Sequence, residues 1–165
     1  MEKRTMTLQD MEHRHDPAAV TYGDCWRACI ATVTGTPIAE VPHFVGDHYD
    51  EDQAGALLDP PAPARWLEAT QAFLLARFNA LVLYYDEPGA MYPHMRTEPS
   101  AFEWVIWSGQ SPRGDWKHSV VGSQDGKMIH DPHPSRAGVT DLDGVFVIVR
   151  AEDWREPVPH EDGEA

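Results

Sequence analysis

The stretch Tyr22-Gly23-Asp24-Cys25-Trp26-Arg27-Ala28-Cys29-Ile30-Ala31-Thr32-Val33-Thr34-Gly35-Thr36-Pro37 decides how the rest of the chain is read. Trp26, Cys29, Ile30 and Val33 recur at intervals of three and four, the spacing of one helical face. Asp24 stands where a capping side chain belongs, and Gly35 followed by Pro37 stops the helix at about Thr34. Cys25 therefore opens a helix, where unpaired amides and aligned peptide dipoles favour a thiolate. Cys29 lies one turn further in, lacks that benefit and reads as a small buried side chain.

Working outward, the first 24 residues are polar and read as irregular chain that ends in a turn before Cys25. Ile38 to Pro42 reads as a further short helical turn. Val45 to Pro63 carries acidic residues, glycine and proline without a clear period, which predicts a surface loop. Over Ala64 to Asn79, residues Trp66, Leu67, Thr70, Phe73, Leu74 and Phe78 fall on one stripe, predicting a second long helix.

Beyond it come short strand-forming runs separated by turns: Leu81 to Tyr85, Trp104 to Trp107, Lys117 to Gly122, Lys127 to Asp131 and Val145 to Arg150. Helices first and strands second argue for an α+β domain with an antiparallel sheet, not alternating βαβ units.

The bulk numbers agree with one such domain. A chain of 165 residues with 42% hydrophobics is enough for one core, read here as residues 1–150. Residues 151–165, rich in Glu, Asp and Pro, read as a solvated tail anchored near Trp154. No apolar run reaches the roughly 18 to 20 residues of a membrane span, and the first residues lead into no signal core. Thirteen basic against 27 acidic side chains give a net charge of −14, which repels nucleic-acid backbones and anionic lipid and leaves a basic peptide or protein as the favoured partner. The only cysteines, Cys25 and Cys29, form no disulfide framework, so a reduced, cytoplasmic protein is expected.

A thiol needs a base. Asp125-Gly126 predicts a two-residue type I′ turn joining Lys117–Gly122 to Lys127–Asp131 in a hairpin that spans Lys117 to Pro132. With Gln124 opposite Lys127, that register sets Val120 against Asp131 and His118 against His133. His118, Val120, Ile129 and Asp131 then share one face, and Ser119, Val121, Met128 and His130 the other. His118 and Asp131 become diagonal neighbours, roughly 7 to 8 Å apart at the backbone, a distance two side chains can bridge. Taken alone, the hairpin is equally compatible with an exposed histidine and a carboxylate that merely ends a strand. Together with Cys25 it supplies a nucleophile, a base and an orienting carboxylate.

These two motifs, Gly23-Asp24-Cys25-Trp26-Arg27-Ala28-Cys29 and His118-Ser119-Val120-Val121 leading to Asp131-Pro132, resemble those of the papain-like cysteine peptidase superfamily. The likeness is closest to its compact bacterial branch, which includes the bacteriocin-leader (double-glycine) peptidases. Gly35-Thr36-Pro37 through Glu40-Val41-Pro42-His43-Phe44 also resembles small bacterial and phage proteins of that superfamily. The resemblance covers residues 9 to 150. It implies a papain-like fold with the cysteine opening a central helix packed on the sheet, and a catalytic set of Cys25, His118 and Asp131. Such enzymes carry a glutamine about six residues before the cysteine as oxyanion donor; that position here is Ala19, and Gln9 is the upstream glutamine that remains.

The resulting expectation is a cysteine hydrolase acting on an amide, peptide or isopeptide bond through a thioester, with no metal or organic cofactor. Acyl transfer or deamidation would use the same triad. Trp26 and Trp116, flanking Cys25 and His118, are the expected groove residues, although buried packing is tryptophan's commoner role. Two rivals stand beside it: a catalytically silent papain-like binding module, and a zinc-stabilised domain drawing on the cysteines and the nine histidines, whose spacings match no closed ligand pattern.

Overall fold

In the computed structural model, residues 7–58, 64–86 and 100–154 are described. Among these residues three α-helices precede five strands: α1 Cys25–Thr34, α2 Phe44–Ala56, α3 Arg65–Phe78, then β1 Ala80–Tyr85, β2 Trp104–Gln110, β3 Lys117–Ser123, β4 Met128–His130 and β5 Thr140–Arg150, with a 3-10 turn at Ile38–Glu40. The strands form one antiparallel sheet in the order β1-β5-β2-β3-β4. This is the expected α+β class, with Cys25 at the start of a helix that packs on β2 and β3. The expected acidic tail from residue 155 onward lies outside the described residues.

The helices bury their apolar stripes against one face of the sheet. Trp26, Ile30 and Val33 of α1 and Leu74 of α3 join Ile106, Val121, Phe146 and Ile148 in the main core. Alternate positions of the central strands, Val105, Val145, Val147 and Val149, form a second cluster with Leu81, Leu83 and Trp107. β5 is thus apolar on both faces, which is why Val145 to Val149 reads as an unbroken hydrophobic run. Each such side chain, once fully buried, contributes about 1.5–3 kcal/mol.

α1 ends where expected. Gly35 takes the left-handed conformation at φ 66°, which a Cβ would disfavour, and its N–H and that of Thr36 close onto the last carbonyls of the helix. Asp24 does not cap the first turn. Its buried carboxylate turns back to accept the N–H groups of His13 at 2.9 Å and Glu12 at 3.4 Å, and it pairs with Arg27 at 3.2 Å. The carboxylate thereby ties the amino-terminal chain to α1.

The expected loop over Val45 to Pro63 is corrected as far as Ala56, because Phe44–Ala56 is helical; residues 59–63 lie outside the described residues. His43 starts this helix: its Nδ1 accepts the Gly46 N–H at 3.2 Å and its carbonyl accepts the Asp47 N–H at 2.8 Å. Phe44 is buried edge-on to Phe73, with ring centroids 5.7 Å apart, and Asp52 accepts the backbone N–H of Arg65 at the head of α3. Among the described side chains of α2, a histidine cap and one deeply buried anchor hold the helix, not a long apolar stripe.

The β3–β4 hairpin also differs. Ser123 pairs with Lys127 around a three-residue loop in which Gly126 has φ 94°, so the expected two-residue turn is replaced by the longer loop with a left-handed glycine. Gly122 lies opposite Met128, but Val121 lies opposite His130. The extra residue, Ile129, is a bulge that restores the expected register before Asp131. In consequence Ile129 packs with Val121 in the main core, not with Val120 as a regular alternation required. β4 ends at His130, so neither Val120 with Asp131 nor His118 with His133 is a ladder pair.

Candidate active site

His118 is the second residue of β3 and Asp131 the first residue after β4. Both are buried, and His118 Nε2 lies 2.7 Å from Asp131 Oδ1. The bulge at Ile129 and the end of the ladder bring the carboxylate there.

The loop after β4 then closes around the carboxylate. Oδ1 also accepts the His133 N–H at 2.8 Å, Oδ2 accepts the Gly138 N–H at 2.7 Å, and Arg113 Nη1 stands 3.8 Å from Oδ2. Burial works to raise the Asp131 pKa, but the hydrogen bonds from His118, His133 and Gly138 outweigh it and hold the acid at about 2. Burial likewise works to lower the pKa of His118. The hydrogen bond with Asp131 and the influence of the neighbouring Cys25 win, and the imidazole is raised to about 9.

With Nε2 engaged by Asp131, Nδ1 is the ring atom left for the sulfur. The structure thus brings Cys25, His118 and Asp131 into one neighbourhood. Cys29 is fully buried, and burial together with the neighbouring Cys25 pushes its thiol pKa well above the ordinary value.

Cys25 and His118 open on a cavity of about 760 Å³ between the helices and the sheet. Trp26 and Trp116 both line it, as expected. Trp26 is chiefly core: it is 3% exposed, and its indole N–H donates to Thr70 Oγ1 at 2.9 Å. Trp116 lies at the mouth against the His15 ring, centroids 4.9 Å apart, folded so closely over Gly114 that a Cβ there would meet its indole ring at 1.8 Å.

Gln9 is not brought to the site. Its amide donates to the Thr36 carbonyl and accepts the Ile38 N–H, both at 2.6 Å, and its backbone carbonyl lies 3.0 Å from His130 Nε2. It braces the far end of α1, a full helix length from Cys25, so the oxyanion expectation for Gln9 is corrected to a structural one. The donor groups that remain at Cys25 are the first-turn amides of α1, which no capping side chain occupies.

Several cavity residues carry no signal in the sequence. Tyr49 of α2 stacks on Tyr22 at 3.8 Å between centroids, and Trp66 and Leu67 of α3 read there as plain core positions. His133 stands perpendicular to His118 with centroids 6.3 Å apart. Burial and the nearby Arg113 lower its pKa.

Among the described residues, one group of ligand-type side chains lies close enough to hold a cation: Glu12, His13 and Asp24. Neither cysteine belongs to it, and Arg27 already pairs with both of its carboxylates. Among the described residues no helix is long and apolar enough to cross a membrane. No family model, no curated protein and no solved structure matches the chain.

Proposed function

We propose that this chain is a cysteine hydrolase of papain-like arrangement, cleaving an amide or related acyl bond through a thioester on Cys25. The observation that carries the proposal is the buried contact of His118 with Asp131, made beside the cavity on which Cys25, at the head of α1, also opens. An imidazolium that persists to about pH 9 is the counter-ion a thiolate requires at neutral pH.

The Cys25 sulfur attacks the acyl carbon, and the first-turn amides of α1 receive the developing oxyanion. The carbon–nitrogen bond breaks, its electron pair leaves with nitrogen, and nitrogen takes the proton held by His118. His118, now neutral, takes a proton from water as the water oxygen attacks the thioester. The carbon–sulfur bond breaks, the acid is released, and the thiolate–imidazolium pair returns. Asp131 keeps Nε2 protonated and the ring oriented throughout.

Incubation with p-nitrophenyl acetate tests this. The expected result is a nitrophenolate burst with one acetyl group mapped to Cys25, abolished in Cys25→Ala and slowed at least about 100-fold in His118→Ala. Acetylation scattered over other residues, or unchanged in His118→Ala, would sink the proposal.

A further inference from the structure

We propose that the cavity beside Cys25 is an acyl pocket, and that the substrate carries a compact, bulky apolar group on the acyl side of the scissile bond. The inference rests on the hydrolase reading above and adds the class of substrate.

At about 760 Å³ the space has the size of a small-molecule pocket, in the range of about 300–1,000 Å³. Its inner walls come from four elements: Trp26 of α1, Val45 and Tyr49 of α2, Trp66 and Leu67 of α3, and Phe146 of β5. Trp26 lies edge-on to Trp66 at 5.0 Å and to Phe146 at 4.6 Å between centroids, so the rings brace one another. The Trp26 indole N–H is spent on Thr70, which leaves that wall apolar. A preformed aromatic box of this kind gains affinity by taking in apolar surface without reordering its own side chains.

The charged residues at the mouth largely cancel one another. Lys117 pairs with Asp143, and Arg113 leans toward Asp131 while donating to Ser135 Oγ at 2.9 Å. With Arg113 and Lys117 set against Asp115 and Asp143 around the cavity, the mouth carries no excess of either sign and selects no strongly charged partner, and discrimination falls to the apolar interior. A phenylalkyl or medium-chain acyl group has the size and polarity to fill it.

The test compares acylation of the full chain by p-nitrophenyl acetate and p-nitrophenyl 4-phenylbutyrate, each rate divided by that of N-acetylcysteine with the same ester. In this step the sulfur–carbon bond forms, the ester carbon–oxygen bond breaks, and its electron pair leaves as nitrophenolate. The phenylbutyryl ester is expected to acylate Cys25 at least about 10-fold faster after normalisation, with the matching mass gain on the Cys25 peptide. Leu67→Trp and, independently, Val45→Trp fill the box and should abolish that ratio.

Equal normalised rates, or a preference that survives both filled variants, would overturn the pocket assignment. The hydrolase reading is separated by alkylation with iodoacetamide, which needs no acyl pocket. If neither ester reacts while alkylation of Cys25 still depends on His118, the acyl pocket alone is wrong; if that dependence is absent, the reading beneath it fails as well.

Discussion

His118 Nε2 and Asp131 Oδ1 lie 2.7 Å apart in a buried environment, although the two residues are not partners in the strand ladder. Two backbone amides, those of His133 and Gly138, hold the carboxylate from its other sides. A carboxylate fixed in this way orients the histidine without having to be organised anew when substrate binds.

Replacing Asp131 by Asn should move the upper pH limit of Cys25 acylation. The His118 pKa of about 9 is held up by Asp131 and by Cys25, against burial, and His133, Cys29, Arg113 and Arg136 are other titratable or charged groups around the pair. Without the carboxylate the imidazolium deprotonates at lower pH, so the falling limb of the rate profile shifts acidward by about 1 unit or more. The shift is read from burst rates between pH 5 and 10; a limb that stays in place contradicts the assignment.

Stability should follow the same pair. The folded pKa of Asp131, about 2, lies below its unfolded value, so its contribution is present above about pH 4 and lost as pH falls through 2. The folded pKa of His118, about 9, lies above its unfolded value, so its contribution is complete below about pH 6.5 and lost as pH rises through 9. Urea midpoints should therefore fall between pH 7 and pH 9.5 in the wild type and fall less in His118→Gln.

Gln9→Ala should destabilise without silencing. It strands the Thr36 carbonyl and the Ile38 N–H, a cost of about 1–3 kcal/mol, while leaving the His118-dependent alkylation of Cys25 intact. Loss of that reactivity in a folded variant would return Gln9 to the site.

Phe44→Ala should loosen α2. Deleting a fully buried phenylalanine costs about 3–5 kcal/mol, and here the loss falls on the helix that carries Val45 and Tyr49 into the cavity. A thermal midpoint lowered by only a degree or two would contradict the anchoring role.

The candidate set of Cys25, His118 and Asp131 is legible in the sequence because each member is marked by local rules: Gly35 and Pro37 place the end of α1, and with it the position of Cys25 at its head, while the hairpin puts His118 near Asp131. What is not legible is set by tertiary contacts. The bulge at Ile129 and the three-residue loop at Gln124 to Gly126 exchange one register error for its correction, which no pattern of alternation reveals. α2 is missed because its start depends on a histidine side chain and its hold on Phe44 meeting Phe73, residues 29 apart in the chain. Gln9 illustrates the converse: an upstream glutamine looks the same in sequence whether it faces the thiol or braces the other end of the helix.

The most direct test of the central claim is the pH dependence of Cys25 alkylation by iodoacetamide, followed by peptide mapping in the wild type and His118→Ala. Cys25 is expected to react rapidly below about pH 7 while buried Cys29 stays unmodified, and His118→Ala is expected to return Cys25 to the slower, strongly pH-dependent reactivity of an ordinary thiol. A Cys25 that is inert, or whose profile is the same in both proteins, would contradict an activated thiol–imidazole pair and leave a binding role for this fold.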